Sequence, residues 1–181
     1  MNVRAIEVRH LDARELSRVR EIERTERIDV LYVQHGTRLE ERVGDFSSTN
    51  WDLEGSGEYS VAALLEMLEQ RIELGATAVG AFAGDRLVGF GVVLPHIRPT
   101  TAQLVALYVS DGHRGRGIGG RVSDELERIA REAGDREMVV SATPSANTVH
   151  FYRGRGFTPS AEPLPELFEL EPEDVHMHKP L

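Results

Sequence analysis

The chain has 181 residues, which corresponds to about one domain at roughly 150 residues per domain. Because 40% of the residues are hydrophobic, the chain can bury a core, which excludes a disordered chain. Its 21 basic and 30 acidic side chains give a formal net charge of −9, which argues against a general binder of nucleic acids or membrane surfaces. The chain contains no cysteine, which excludes disulfides, thiolate metal sites and a cysteine nucleophile, and it shows no signal peptide and no run of about 18 apolar residues, so we expect a cytoplasmic protein without a membrane partner.

The first third of the chain predicts one strand and two helices. Residues 3–9 have the pattern of a short strand. Asp12 and Glu15 form a capping-box pattern, and apolar residues at helical spacing follow it, which predicts a first helical region. A polar, irregular stretch over residues 36–57 leads to Ser60, which is expected to cap the second helix.

The rest of the chain is predicted to alternate between strands and helices. The predicted strands are residues 78–82, 87–94, 103–109, 138–142, a segment from 157 onward, and 175–179. One predicted helix runs from Ile118 to Gly134, and a shorter one opens at Ser145 or Asn147 and runs through Arg155. This order predicts an α/β (α+β) fold with a mixed sheet and helices on both faces, in a single domain over residues 1–181.

A glycine-rich loop joins a predicted strand directly to an amphipathic helix. It reads Arg114-Gly115-Arg116-Gly117-Ile118-Gly119. The first turn of a helix has unpaired N–H groups and a partial positive charge, and glycines let a phosphate approach these donors. Because the nearby arginines add cations to an otherwise acidic protein, the loop predicts a site for a small polyanion.

Other interpretations of this loop fit the sequence less well or give the loop no function. A Walker loop is excluded, because Gly119-Gly120-Arg121 stands where Gly-Lys-Ser/Thr is needed. A dinucleotide fingerprint fits only as a lone match, without the early strand–helix–strand unit it requires. RNA-binding arginine–glycine boxes are usually long and disordered, whereas this one is short. A glycine-rich turn with solvated arginines remains the structural alternative.

Two motifs resemble those of the GNAT superfamily, the GCN5-related N-acetyltransferases of bacterial small-molecule or protein type. The loop from Arg114 to Gly119 resembles the family's Arg/Gln-x-x-Gly-x-Gly/Ala signature. Residues 147–157, which contain Asn147 and the Phe151-Tyr152 pair and end in Gly156-Phe157, resemble a second family segment. The terminal strand over residues 175–179 also resembles the family's closing strand, so the likeness covers roughly residues 76–181.

The resemblance implies a mostly antiparallel central sheet and acetyl-CoA (coenzyme A) as co-substrate, with no metal. The implied activity is transfer of an acetyl group, by direct attack, to a primary amine of a small molecule or peptide. A non-catalytic acyl-CoA-binding or sensing module of the same fold is the alternative, and an RNA-associated protein is a more distant one. A homodimer would be a common assembly for such a fold.

The same resemblance assigns the cofactor site. Leu107 and Val109 would offer main-chain groups of a splayed strand, and Asn147 would either cap a helix or meet the cofactor arm. The implied cofactor-binding residues are Leu107, Val109, Arg114, Gly115, Arg116, Gly117, Ile118, Gly119, Asn147 and Tyr152.

Tyr152 is the candidate general acid, because a tyrosine of pKa about 10 stays protonated at neutral pH and can donate to a leaving thiolate. A proton acceptor is harder to place, since residues 103–106 lack the carboxylate that many relatives carry there. We favour Glu26, which is predicted to lie in the first helical region before a stretch containing Tyr32, over Glu58 and His96.

Two further features near the C-terminus carry weaker interpretations. His176 and His178 alternate on a predicted strand and lack a third metal ligand, so hydrogen-bonded strand histidines are expected. The acidic residues from Glu166 to Asp174 predict a solvated loop, or a surface that attracts a cationic acceptor.

Overall fold

The computed structural model describes residues 5–181. The strands are β1 (Ile6–His10), β2 (Glu26–His35), β3 (Arg38–Ser48), β4 (Thr77–Ala83), β5 (Arg86–Arg98), β6 (Thr101–Val109), β7 (Glu137–Ala142), β8 (Thr158–Pro159) and β9 (Val175–Pro180). The helices are a 3₁₀ helix (Ala13–Glu21), α1 (Val61–Glu73), α2 (Ile118–Ala133), α3 (Ala146–Gly154) and α4 (Pro165–Leu170).

The centre of the molecule is a seven-stranded sheet with the order β1-β4-β5-β6-β7-β9-β8. Neighbouring strands are antiparallel except for β6 and β7, which run parallel because α2 connects them. Each face of the sheet carries its own apolar core: Val122 and Leu126 of α2 lie in one, whereas Leu68 of α1 packs with Phe90 in the other. The predicted fold, a mixed and mostly antiparallel sheet with helices on both faces, is confirmed.

The 3₁₀ helix replaces an expected α-helix. The predicted capping box is present, since Asp12 Oδ1 accepts hydrogen bonds from the N–H groups of Arg14 (2.8 Å) and Glu15 (3.2 Å). The apolar residues that follow, Leu16, Val19 and Ile22, recur every three residues and are all buried. A spacing of three places side chains on one line of a 3₁₀ helix, which explains the difference.

A two-stranded hairpin of β2 and β3 is the main departure from the prediction. The sequence placed Glu26 in a helical region and residues 36–57 in an irregular stretch, but residues 26–35 pair with residues 38–48 in antiparallel register. Much of the hairpin is exposed, so its side chains lack the apolar alternation that reveals a half-buried strand.

The central sheet opens between β6 and β7. Their parallel pairing covers only Thr101–Leu104 of β6 and ends where Leu104 meets Val140. Beyond that point the two strands diverge, so the second half of β6 has no neighbour on that side within residues 5–181. This divergence was expected from the family resemblance and creates the gap in which the candidate site lies.

The hairpin is fixed beside this gap by main-chain and amide hydrogen bonds. The Tyr32 N–H donates to the Pro144 carbonyl at 2.8 Å. The Gln34 side chain accepts from the His176 N–H at 2.8 Å and donates to the carbonyls of His176 at 3.2 Å and Ser160 at 3.0 Å. The hairpin therefore borders the open part of the sheet.

A buried carboxylate ties α2 to the C-terminal strand. Glu127 is 3% exposed and its oxygens accept hydrogen bonds from Lys179 at 2.7 Å and Arg155 at 3.1 Å. Burial by itself would raise the pKa of Glu127, but these two cations hold it below its usual value.

We expect Glu127→Gln to lower the free energy of unfolding by about 3 kcal/mol at pH 7, because removing the carboxylate leaves the charges of Lys179 and Arg155 without compensation. Since the folded-state pKa is depressed, the stabilisation is present above the unfolded pKa and is lost as the pH falls through the folded value. Urea unfolding of both forms between pH 3 and 7 measures this. A stability difference that stayed constant over this range would contradict the assignment.

Within residues 5–181, the helices are all too short or too polar to cross a membrane.

Candidate active site

A cleft of about 540 Å³ lies where the end of β6 meets the start of α2 and the start of α3. It is lined by Glu26, Leu107, Val109, His113, Arg114, Gly115, Gly117, Ile118, Gly119, Gly120, Asn147, Thr148, His150, Phe151 and Tyr152. All but one of the cofactor-binding residues expected from the sequence are in this set. The exception is Arg116, which is exposed and outside the lining.

The N-terminus of α2 presents main-chain donors to the cleft. The first hydrogen bond of the helix runs from the Arg121 N–H to the Gly117 carbonyl at 3.1 Å, so the three N–H groups before it have no acceptor within the helix. Gly117 caps the helix with a φ of 76°, a left-handed conformation that favours glycine, and no side chain caps it. Free donors and the positive end of the helix dipole make this turn suitable for a phosphate group.

Along β6, main-chain groups also face the cleft. The Ser110 N–H donates to the Val88 carbonyl of β5 at 2.9 Å. Since main-chain groups alternate in direction along a strand, those of Leu107 and Val109 point the opposite way, into the gap left by β7. The side chains of both residues pack against the core, so their main-chain groups are what an extended ligand could pair with.

Two arginines in the loop and the first turn of α2 form different contacts. Arg114 donates to the carbonyls of Val109 at 3.1 Å and Thr25 at 2.9 Å, which ties the loop to the segment before β2. Arg121 donates to the Ile6 carbonyl at 2.9 Å and thereby contacts β1. Only Arg114 of the two lines the cleft, so its guanidinium is both a structural bridge and a nearby positive charge.

Asn147 and Glu26 face each other across the mouth of the cleft. Ser145 caps α3, with its hydroxyl accepting from the Thr148 N–H at 3.2 Å, so the interpretation of Asn147 as the cap is wrong. The exposed Asn147 side chain instead donates to Glu26 Oε1 at 2.7 Å. Glu26, expected on a helix, is the first residue of β2 and is half-buried.

Tyr152 is 5% exposed and lies between aromatic rings. Its ring centroid is 5.2 Å from that of Phe151 and 5.3 Å from that of Phe157. Burial raises the pKa of Tyr152, and Tyr108 and Asp174 add to the rise, so the hydroxyl is protonated at neutral pH. Within the described part of the chain, it forms no hydrogen bond with another side chain, which leaves its proton available to a bound molecule.

A second cavity of about 200 Å³ occupies the gap between β6 and β7 and joins the cleft. The two share Glu26, Leu107, Val109, Arg114, Thr148 and Tyr152 in their linings. The second cavity adds polar groups from several elements, namely Arg24, Ser48, Tyr108, Ser141, Glu171 and Asp174. Tyr152 therefore faces a long cleft on one side and a small polar cavity on the other.

Several lining residues were not predicted from the sequence. His150 contributes Nε2, which is 3.0 Å from the Tyr32 hydroxyl, and this hydroxyl donates to Glu41 at 3.2 Å. His113 lies in the loop itself. Asp174 was assigned only as part of an acidic run, expected to be a solvated loop or a surface that attracts a cationic acceptor, and not as a residue of this site. Helical spacing gives no signal for His150, because residues two apart on a helix do not face each other, and nothing local could place Asp174 beside β6.

The other candidates lie elsewhere. His96 Nδ1 is 2.9 Å from Asp135 Oδ1 at the far end of β5, and Glu58 is exposed outside both linings. His176 is buried and bonded to Ser141 and to the Glu171 carbonyl, whereas His178 pairs with Glu137 at 2.9 Å. Among residues 5–181, no three His, Asp or Glu side chains are placed to hold a metal ion.

This geometry agrees with what comparison with known proteins finds. A family model described as the acetyltransferase (GNAT) family matches residues 42–157, which is more than half of the chain. The protein therefore belongs to the acetyltransferase (GNAT) family, and the resemblance seen in the sequence is confirmed.

Solved structures share the fold over nearly the whole chain. Nourseothricin acetyltransferase is 17% identical with a TM-score of 0.71 and covers 97% of this chain and 98% of its own. PaiA N-acetyltransferase from Thermoplasma acidophilum, in complex with coenzyme A, is 22% identical with a TM-score of 0.63, covering 98% and 99%. A Bacillus anthracis protein assigned as a streptothricin acetyltransferase, with acetyl coenzyme A bound, is 13% identical with a TM-score of 0.71, covering 98% and 99%. No curated protein matches the chain significantly.

Proposed function

We propose that this protein is an N-acetyltransferase that moves an acetyl group from acetyl-CoA to a primary amine by direct attack. The observation that carries the proposal is the continuous path from the free N–H groups of α2, along the unpaired half of β6, to the Tyr152 hydroxyl. Coenzyme A has a matching order of groups, with a pyrophosphate, an extended amide-bearing arm and a sulfur at the end.

The residues present fit this co-substrate. The N–H groups of Ile118, Gly119 and Gly120 would hold the pyrophosphate, with Arg114 as a nearby charge. An ideal Cβ on Gly117 would have open space around it, so side chains there would project into room that a ligand needs. The main-chain groups of Leu107 and the N–H of Val109 would pair with the amide arm, because Arg114 already donates to the Val109 carbonyl. Exposed Asn147 stands beside the arm, Gly115 completes the loop, and exposed Arg116 would act only at longer range.

Acetyl-CoA supplies an activated acetyl group, and the chain's residues would manage the protons. Tyr152, held protonated by burial, would donate to the sulfur as it leaves. A main-chain N–H of β6 would polarise the acetyl carbonyl. The amine must lose a proton, because an alkylamine of pKa about 10.4 is almost fully protonated at pH 7. Glu26, where the cleft meets the second cavity, is retained as a candidate acceptor of that proton.

A panel of amines tests the proposal. We expect the purified chain to release free thiol from acetyl-CoA faster with at least one of spermidine, lysine, an aminoglycoside or a peptide with a free N-terminus. Binding of acetyl-CoA without amine-dependent thiol release would favour the non-catalytic module instead. Binding of RNA in place of acetyl-CoA would contradict both.

Fold comparison supports a single domain, since the similar structures cover at least 97% of the chain. A small-molecule acceptor gains support from the antibiotic acetyltransferases among these structures, and a peptide amine is the other candidate. The homodimer and the cytoplasmic location remain predictions.

A further inference from the structure

Asp174 occupies a position that the proposed chemistry leaves unused. It ends the loop between α4 and β9, and it lines the 200 Å³ cavity between β6 and β7 together with Tyr152. It also lines a third cavity of about 450 Å³ under the hairpin of β2 and β3, and among residues 5–181 no other residue belongs to both linings. The Asp174 carboxyl therefore separates the small inner cavity from a larger one.

The loop that carries Asp174 is held in place by buried groups. The Asp174 N–H donates to the Glu171 carbonyl at 3.2 Å. The same carbonyl lies 3.0 Å from Nε2 of His176, whose Nδ1 is 3.3 Å from the Ser141 hydroxyl on β7. Burial lowers the pKa of His176, so its ring is neutral, with Nε2 donating to Glu171 and Nδ1 accepting from Ser141. This network fixes the position of the carboxyl relative to the edge of the sheet.

The Asp174 side chain has no hydrogen bond or ion pair in the described part of the chain, whereas Glu26 already accepts from Asn147. We propose that Asp174 is the group that takes the proton from the acceptor ammonium in the cavity between β6 and β7, which Tyr152 also lines. This inference rests on the proposed acetyl transfer and adds to it the residue that activates the amine.

The proton balance is simple. One ammonium N–H bond breaks, its electron pair stays on nitrogen, and an O–H bond forms on Asp174. That proton can leave for solvent through the third cavity. When nitrogen bonds to the acetyl carbon and the carbon–sulfur bond breaks, nitrogen loses its second proton, which replaces the one that Tyr152 gives to sulfur. Overall, ammonium and thioester yield amide, thiol and one free proton.

The electrostatic surroundings suit this role. Burial raises the pKa of Asp174 to about 7, and the Glu171 carboxylate adds to the rise. A carboxyl with a pKa near the working pH is a far better proton acceptor than an ordinary aspartate. The other ionisable groups around the inner cavity are Arg24, Glu26, Tyr108, Arg114, Tyr152 and Glu171. On the side of the third cavity they are Tyr32, Arg42 and Glu173.

Two probe amines test the proposal. Ethylamine is protonated at pH 7, whereas the fluorines of 2,2,2-trifluoroethylamine leave it largely neutral, so only the first needs a proton acceptor. We expect Asp174→Asn to lower kcat/KM for ethylamine by about 100-fold at pH 7, and to change the value for trifluoroethylamine by less than about fivefold. In the wild type the ethylamine rate should level off above pH about 7, whereas in Asp174→Asn it should keep rising with pH.

Controls separate a structural effect from a chemical one. Glu169→Gln removes an exposed carboxylate of the same acidic run and should behave as the wild type. Acetyl-CoA affinity should not change in Asp174→Asn. If that variant does not fold, Asp174→Glu replaces it, with an expected shift in the pH at which the ethylamine rate levels off.

Several outcomes overturn the proposal. Equal losses for both amines would show a merely structural role. If the ethylamine rate stopped levelling off in Glu26→Gln but still levelled off in Asp174→Asn, the proton would be assigned to Glu26. A wild type that acetylates amines with no change in Asp174→Asn or Asp174→Glu refutes this inference alone. A wild type that acetylates no amine refutes the proposed function and this inference together.

Discussion

Replacing Tyr152 by phenylalanine is expected to lower kcat by about 100-fold while leaving acetyl-CoA affinity within about threefold of the wild type. The ring of Tyr152 packs against Phe151 and Phe157, and phenylalanine retains these contacts. Only the hydroxyl is lost. Because that hydroxyl forms no side-chain hydrogen bond within residues 5–181, its removal leaves no broken partner in the protein, and the loss falls on proton donation to the leaving sulfur.

Thiol release at saturating acetyl-CoA measures kcat, and calorimetry measures affinity. Tyr59→Phe is the matched control, since Tyr59 is 56% exposed and lies outside both cavity linings. We expect that control to retain full activity. An unchanged kcat in Tyr152→Phe would remove the acid role, and a parallel loss of acetyl-CoA affinity would assign the hydroxyl to binding.

The second large effect is expected at the start of α2. We expect Gly117→Val to weaken acetyl-CoA binding by about 100-fold, because it would remove two main-chain contacts worth about 1.5 kcal/mol each. Gly117 has a φ of 76°, so a β-branched residue there must strain or move the turn that directs the N–H groups of Ile118 and Gly119.

The other end of the same helix provides the control. Gly134 caps the C-terminus of α2 with a φ of 99° and, like Gly117, has open space at its Cβ position. Valine at either position should lower the free energy of unfolding by about 1–3 kcal/mol. Only the change at Gly117 should alter acetyl-CoA affinity in calorimetric titration. If the two variants bound acetyl-CoA with similar affinity, the glycine-rich loop would not be the part of the protein that binds the cofactor.

The C-terminal two-thirds of the fold could be read from the sequence because its patterns are local. The stripe on α2 that includes Ile118, Val122 and Leu126 is fully formed in the core, and the glycines that flank the helix lie at its caps. The proposed cofactor cleft could be predicted from these same local features, since it depends on main-chain groups at a helix start and along one strand. Side-chain identity matters little for such a site, apart from the need for glycine.

The hairpin and Asp174 could not be predicted, for a different physical reason. The hairpin of β2 and β3 is stabilised by its own ladder and by Gln34, which pairs with β9 more than 140 residues later. Asp174 reaches the gap between β6 and β7 only because β9 pairs with β7 in antiparallel register. Contacts of this range leave no periodic trace in the sequence, and they form the side of the site that is proposed to receive the acceptor.

The first-turn N–H groups of α2 are proposed to hold the pyrophosphate of acetyl-CoA. Amide hydrogen exchange, measured by NMR with and without saturating acetyl-CoA, reports on these groups individually. We expect exchange of the Ile118, Gly119 and Gly120 amides to slow by at least about tenfold on binding, with no comparable change at Gly134. If acetyl-CoA did not bind, or if it bound while these three amides exchanged as before, the N–H groups of α2 would not be the pyrophosphate site.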